Sequence, residues 1–428
     1  MSANPLSILQ PGTGLFNTHV TLFDVNKAIK EQMSTESELT AESKMEVIGD
    51  GNGFSSRVLL ISCNWTIPSA HLPKKLILKI VSFVHIQALI DKGKQQNASL
   101  ITKEVEEQMY AYFESSCKKM HNQEMNFYEV AGKFNSKTLL IPKVYFYTKL
   151  DEKNSNKGFI GMEYVEGSIV RHSYDTCTIE EIQPILRAIA KLQALSLQNP
   201  AEISKDLQKI DNGAIFQETL KMMLSESGIK GIFEQCRNLE RSRFGEKVDR
   251  IEEKRNEILD FEKAFNLNKV VGIKQNVLCH GDLWAANFLW TENNGVFCAT
   301  RIVDYQMSHL GNPAEDLVRL LVSTITGADR QAHWQQILEQ FYSYFLNELG
   351  SGEAPYTLEQ LKLSFKLYFP VGALALLPLF GPAVDAKLEG MDSEKAEKCR
   401  HVVIEKVACL LDDLEKYHKF SKRYFQEK

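Results

Sequence analysis

His280, Asp282 and Asn287 share one eight-residue stretch, HGDLWAAN, and Asp304 follows seventeen residues after Asn287 at the end of the apolar run RIV. Transfer of a phosphoryl group to a hydroxyl needs few protein parts. A carboxylate must accept the hydroxyl proton, and oxygen ligands must hold magnesium across the phosphates. The spacing offers Asp282 as the base and Asn287 with Asp304 as the metal ligands. A blander reading makes His280 and Asp282 buried polar residues that cap a turn. Such a cap has no need of the downstream asparagine, of the Asn294-Gly295 hairpin signal, or of an aspartate closing an apolar strand. A hydrolytic metal centre is the weaker reading, because no second histidine or carboxylate cluster lies nearby in the sequence.

The elements around these residues change character at Gly167. Before it, Thr21 to Gln32 reads as a short amphipathic helix with Asp24 near its start. A polar linker, Ser34 to Ser43, leads to three short strands, MEVIG, RVLLISCNW and KLILKIV. Helices are predicted over Ser99 to Lys119 and Gln123 to Gly132, then strands in KVYFYTK and GFIGMEYV. After Gly167 the pattern is mainly helical. Thr178 to Ser196 carries an apolar stripe and opens with a capping box, Thr178 and Glu181. The strands NFLW and VFCATRIVD interrupt the helices. The expected fold is α+β and bilobed, with a β-rich lobe over 1–166 and a helical lobe over 167–428.

Bulk properties narrow the class. The 428 residues are 44% hydrophobic and 25% charged, the balance of a soluble globular protein. A net charge of -5 argues against a nucleic-acid partner. Eight cysteines without a C-x-x-C pair read as reduced thiols in a cytoplasmic protein. The opening MSANPLSILQPGTGLFNTHV has no basic segment and no long apolar core, so no signal peptide is expected. Leu367 to Val384 approaches the length of a membrane span, but Pro370, Gly372, Pro378, Gly381 and Pro382 break it. A buried helix pair is expected there, with neither a membrane nor an obligate protein partner.

The H-x-D-x-x-x-x-N spacing matches the protein-kinase catalytic loop, with Asp304 in the place of the D-F-G aspartate. More narrowly, HGDLWAAN and DYQ resemble the choline-kinase-like (CHK) branch of the aminoglycoside-phosphotransferase superfamily. The chain is similar above all to the ecdysteroid-kinase-like families of invertebrates, in particular a large nematode group. The resemblance spans nearly the whole chain, through THVTLFDV, IGDGNGFSSRV, HNQEMNFYEV, IPKVYFYT, GFIGMEYVEG and IVDYQMSHLGNPAEDLVRLL. It implies a protein-kinase-like fold and the use of ATP and Mg2+.

Under that resemblance Gly49, Gly51, Gly53 and Ser55 form the loop over the phosphates, where glycine lets the backbone approach closely. Lys79, among apolar strand residues, would reach the α- and β-phosphates. Glu124, in the E-x-x-x-Y pattern of EMNFY, would be its ion-pair partner on a helix. Glu104, Glu106 and Glu107 compete for that role, but read as a solvated charged face on an earlier, inserted helix. Glu163 to Val165 would be the hinge whose backbone meets adenine. Asn312-Pro313-Ala314-Glu315 reads as a helix start, and Asp316 would brace the catalytic loop.

Departures from protein kinases point to a small substrate. Trp284 stands where those enzymes carry a lysine, D-Y-Q replaces D-F-G, and only eleven residues separate Asp304 from Asp316. No room is left for an activation loop that would bind a peptide. A hydroxyl on a steroid-like alcohol, a glycoside or another metabolite is the expected acceptor. FKLYFPVGALALLPLF fits an apolar pocket wall and ordinary core equally. The alternative to an enzyme is a nucleotide-binding pseudokinase or regulatory module. The joint presence of Lys79, Asp282, Asn287 and Asp304 favours catalysis.

Overall fold

Alternation in KLILKIV decides which side of the first sheet is core. Leu76, Leu78 and Ile80 are fully buried on one face, which leaves Lys75, Ile77 and Lys79 on the other. The computed structural model describes residues 7–49, 56–83, 103–134, 136–198, 213–381, 384, 388 and 390–427, with side chains only from 110 onward in the helix that begins at Lys103. Within them, β1 (Lys44–Val47), β2 (Ser56–Ser62), β3 (Lys75–Val81), β4 (Val144–Thr148) and β5 (Phe159–Glu163) form an antiparallel sheet in the order β1-β2-β3-β5-β4. Lys79 therefore lies on the middle strand, opposite Val58 and Ile160. Helix α1 (Leu22–Met33) starts from a capping box between Thr21 and Asp24, and its Val25 and Ile29 join Leu76, Leu78 and Ile80 in one core.

Where two helices were expected, over Ser99 to Lys119 and Gln123 to Gly132, one continuous helix, α2 (Lys103–Phe134), is found. Neither glycine nor proline falls between the two predicted stretches. The weak helix formers there are held by tertiary bonds. The His121 ring lies 2.8 Å from the Thr148 carbonyl, and the Asn122 side chain exchanges two hydrogen bonds with the Leu150 backbone. Glu124 thus belongs to the same helix as Glu104, Glu106 and Glu107, and no separate inserted helix exists among the described residues.

The chain divides into two compact units, Met1–Glu129 with Pro142–Glu166, and Val130–Ile141 with Gly167–Lys428. The second is mostly helical. Its helices include α3 (Gln183–Gln198), α4 (Ala214–Met223), α5 (Glu226–Leu239), α6 (Arg241–Glu253), α7 (Glu315–Thr324), α8 (Gly327–Leu349), α9 (Leu358–Leu374) and α10 (Ser393–Gln426). The bonds of the Thr178–Glu181 box form, yet the backbone after them is a turn and regular helix begins only at Gln183. Between the helices, β7 (Val277–Cys279) pairs with β10 (His309–Gly311), while β6 (Ile169–Val170), β8 (Phe288–Asn293) and β9 (Val296–Ile302) make a second small sheet. Asn294 (φ 53°) and Gly295 (φ 79°) form the two-residue turn between β8 and β9. A β-rich first lobe and a helical second lobe make this a protein-kinase-like fold.

The apolar run after Phe365 is core. Among the described residues it forms the end of α9 and a 3-10 turn, Leu377–Phe380, with Pro370 inside the helix, and the backbone is helical again at Val384. Trp334 stacks on Phe365 at 5.3 Å, and Phe369 meets Tyr417 at 4.7 Å. Among the described residues no helix is long and apolar enough to cross a membrane.

One buried cation fastens α10 to the end of α7. Lys406 Nζ donates to the carbonyls of Ser173, Asp175, Ser323 and Thr324, at 3.0, 2.6, 2.9 and 3.3 Å. Burial pulls its pKa down to about 7. Lys406→Met is expected to leave the Ser173, Asp175 and Ser323 oxygens without this donor, at about 1–3 kcal/mol for each that finds no other, while Thr324 keeps the Cys177 N–H at 2.8 Å. Denaturant unfolding should show a loss above about 3 kcal/mol, whereas near-wild-type stability would mean that water replaces the ammonium.

Candidate active site

Strand β7 is fully buried and delivers the chain to His280-Gly281-Asp282. Gly281 has φ 82°, and a Cβ there would lie 2.1 Å from the Met307 carbonyl oxygen, so only glycine makes this turn. The N–H groups of His280 and Gly281 donate to the two oxygens of Asp316, at 2.7 and 2.9 Å. Burial raises the Asp316 carboxyl to about 6 in spite of those two bonds.

The buried His280 ring joins the loop to the strand that carries Asp304. Its Nδ1 accepts the Asp282 N–H at 3.1 Å, and its Nε2, which must then hold the proton, lies 3.0 Å from the Val303 carbonyl. Val303 N–H donates in turn to the Asn287 carbonyl at 3.0 Å. Asn287 Nδ2 donates to the Asp282 carbonyl at 2.8 Å and approaches its Oδ2 at 3.4 Å. Both bonds run through nitrogen and neither uses Asn287 Oδ1. Asp304 adopts a left-handed conformation (φ 68°, ψ 57°) ahead of the turn Tyr305–Met307, an uncommon backbone found often at functional sites. Burial raises the Asp282 carboxyl from its ordinary value, an effect that the Arg319 guanidinium opposes and the Asp304 carboxylate reinforces. Asp282, Asn287 and Asp304 are therefore gathered in one place, with donor types suited to a divalent cation beside a base.

Two residues of this site were not found from the sequence. Arg319 NH1 lies 3.0 Å from Asp282 Oδ1, and Ser323 Oγ accepts the Ala285 N–H at 3.1 Å. The signal was a lone charge in the apolar run LVRLLV, three residues past Asp316 and hence on the same helical face. Sequence distance also hid a grouping of Cys279, His309 and Glu315, whose potential ligand atoms all lie within 4.8 Å. Its donors are already engaged. His309 Nδ1 is 2.9 Å from the Met307 carbonyl, its Nε2 is 2.9 Å from Glu315, and Cys279 Sγ donates to the Asn312 carbonyl. Burial alone would lower the His309 pKa, but Glu315 outweighs it and raises the imidazole. That is a buried ion pair.

In the first unit, Lys79 Nζ lies 2.7 Å from Glu124 Oε2, and the carboxylate is 1% exposed. Tyr128, one helical turn on, donates to Glu124 Oε1 at 3.4 Å. The side chains of Glu104, Glu106 and Glu107 lie outside the described residues, as do Gly51, Gly53 and Ser55. Gly49 follows β1 with φ 68°. Glu163 ends β5, and its N–H is committed to the Lys143 carbonyl at 2.8 Å. Val165 lies two residues beyond that strand.

Comparison with known proteins places the sequence against a family. The profile of DUF1679, described as "Uncharacterized oxidoreductase dhs-27", matches residues 8–422. The Caenorhabditis elegans protein named uncharacterized oxidoreductase dhs-27 is 25% identical over 341 residues, 76% of this chain and 38% of that protein. The C. elegans uncharacterized kinase-like protein D1044.1 is 29% identical over 143 residues, 32% of this chain and 37% of that protein. The chain thus spans well under half the length of these curated relatives. Among solved structures, choline kinase from Cryptosporidium parvum aligns with 13% identity and a TM-score of 0.45, over 87% of this chain and 90% of that one. The GDP complex of aminoglycoside 2'-phosphotransferase-IIIa aligns with 14% identity and a TM-score of 0.45, over 90% and 98%.

Proposed function

The chain belongs to the DUF1679 family, and on that premise we propose that it is an ATP- and magnesium-dependent phosphotransferase acting on a hydroxyl of a small molecule. The acceptor class is a steroid-like alcohol, a glycoside or a related metabolite, as in the choline-kinase-like and ecdysteroid-kinase-like branch of the aminoglycoside-phosphotransferase superfamily. What carries the reading is the pairing of Asp282 and Asn287, on a loop whose backbone N–H groups are held by Asp316, with Asp304 close enough after β9 to act on the Asp282 carboxylate. Asp282 is the base that takes the hydroxyl proton. Asn287 Oδ1 and the Asp304 carboxylate would hold magnesium, which supplies positive charge to the phosphates. Lys79, oriented by Glu124, would add charge to the α- and β-phosphates, and the glycine loop with Gly49, Gly51, Gly53 and Ser55 would close over them. Glu163 to Val165 would meet the base.

The word oxidoreductase belongs to a relative of which the match covers 38%. Binding of a dinucleotide in the usual way needs parallel strands joined through a helix. Among the described residues every strand pairing is antiparallel. The kinase reading therefore suits these residues better.

The test is incubation with ATP, Mg2+ and a metabolite extract, read by mass spectrometry for a gain of one phosphate. A labelled peptide with no phosphorylated metabolite would reverse the small-molecule assignment. ATP binding without any transfer would leave a non-catalytic nucleotide-binding module. The metal ligands have their own measure. Asp304→Ala should weaken magnesium-dependent ATP binding more than Asn287→Ala, because it removes a charged ligand. Wild-type ATP binding indifferent to chelation would refute the metal site.

A further inference from the structure

Helix α7 meets the catalytic loop along one face. Asp316, Arg319 and Ser323 stand at i, i+3 and i+7, and each bonds the loop: Asp316 to the N–H groups of His280 and Gly281, Arg319 to the Asp282 carboxylate, Ser323 to the Ala285 N–H. Two of the three hold backbone. Arg319 alone holds the side chain of the proposed base.

We propose that Arg319 is the positioning residue of the base, fixing Asp282 by its Oδ1 so that Oδ2 faces the acceptor hydroxyl. This rests on the phosphotransferase reading and deepens it. Asp282 is bonded by Arg319 NH1 at Oδ1 (3.0 Å), while Asn287 Nδ2 approaches Oδ2 at the longer distance of 3.4 Å, and the Trp284 side chain also hydrogen-bonds the carboxylate. Oδ1 is thus held by the cation, which leaves Oδ2 as the oxygen to take a proton. In the step itself the acceptor O–H bond breaks and its proton passes to Oδ2. The acceptor oxygen bonds to the γ-phosphorus of ATP as the bond from that phosphorus to the β–γ bridging oxygen breaks, and ADP leaves.

The guanidinium is itself held in place. It lies over the Phe216 ring, 5.7 Å from its centroid, and the residue is 7% exposed. Its Nε is buried with no acceptor. The sequence context agrees. The position two residues past the base, where protein kinases place a lysine, is Trp284 here, so a cation beside the base has to come from elsewhere in the fold. Arg319 supplies it from α7.

The experiment compares wild type, Arg319→Gln, Arg319→Lys, Asp282→Asn and the double variant Arg319→Gln with Asp282→Asn. Thermal melts report folding, calorimetry reports MgATP affinity, and phosphate transfer to the metabolite extract reports kcat and the KM for ATP. Arg319→Gln is expected to lower kcat by about 10²-fold, the scale of a misplaced reacting group, with the KM for ATP unchanged. Arg319→Lys should recover about tenfold of that loss, since it restores the charge without the planar fork. The double variant should be no slower than Asp282→Asn alone. A fall in ATP affinity with kcat intact, or losses that multiply in the double variant, would overturn the role. If Arg319→Gln does not fold, Arg319→Lys decides by itself: kcat about tenfold below wild type is expected, and unchanged kcat overturns the inference. Asp282→Asn at the wild-type rate would remove Asp282 as the base and this inference with it, whereas absence of transfer by the wild type would remove the phosphotransferase reading. Asp282→Asn inactive beside fully active Arg319 variants would remove only the role of Arg319.

Discussion

Asp282→Asn is expected to lower turnover by about 10²–10⁴-fold while leaving MgATP affinity nearly intact. The amide keeps the shape of the carboxylate and can still accept the Arg319 N–H at Oδ1, so the loop should remain folded around the Asp316 bonds. What it loses is the capacity to take a proton from the acceptor. Lys79 and Asp304, assigned to the nucleotide and its metal, are not changed, and Asn287 keeps its 2.8 Å bond to the backbone carbonyl of residue 282 while losing only the long 3.4 Å approach to Oδ2, which is why binding and chemistry should separate. Single-turnover kinetics with the phosphorylated product as readout, alongside calorimetric ATP titration, checks both halves. A variant that transfers phosphate at the wild-type rate would remove Asp282 from the reaction.

The second large effect concerns Lys79 and Glu124. Lys79→Met and Glu124→Gln are each expected to cost about 10²–10³-fold in turnover, the scale for loss of one preorganised charge at developing anionic oxygens. The 2.7 Å bond between them, with Glu124 almost wholly buried, makes the lysine's position depend on the carboxylate. The two act as one unit, so the double variant should be little worse than either alone. Glu106→Gln should be nearly silent. The decisive measurement is the double-mutant cycle: losses that multiply would show independent roles, and an active Glu124→Gln would leave Lys79 without its assigned support. Tyr128, which donates to the other carboxylate oxygen, offers a graded control. Tyr128→Phe should reduce turnover by less than tenfold, because the bond it removes is long, 3.4 Å, and worth about 1 kcal/mol.

Much of the frame was legible because it depends on local periodicity. The alternation in KLILKIV, the Asn294-Gly295 turn and the box at Thr21 and Asp24 all rest on contacts within a few residues. The failures lie where distant contacts outweigh local preference. His121 and Asn122 read as the gap between two helices, yet bonds to Thr148 and Leu150 carry the helix through them. At Thr178 the capping bonds form, but regular helix waits for Gln183. In the run after Phe365, apolar composition could not separate core from pocket wall, because both are built from the same side chains.

The sequence by itself determined which donors are proposed for this protein. Residue type and spacing in HGDLWAAN and IVDYQ are a matter of covalent order, and the proposal of a base with two oxygen ligands rests on that order alone. The same holds for the strand that carries Lys79. The tertiary structure decided what holds those groups still. Arg319 reaches Asp282 across 37 positions of chain, Lys406 reaches Ser173 across 233, and Glu124 reaches Lys79 across 45. Such pairings follow from how helices and sheets pack, and the free energy that selects them is non-local burial, to which a residue's neighbours in sequence contribute little.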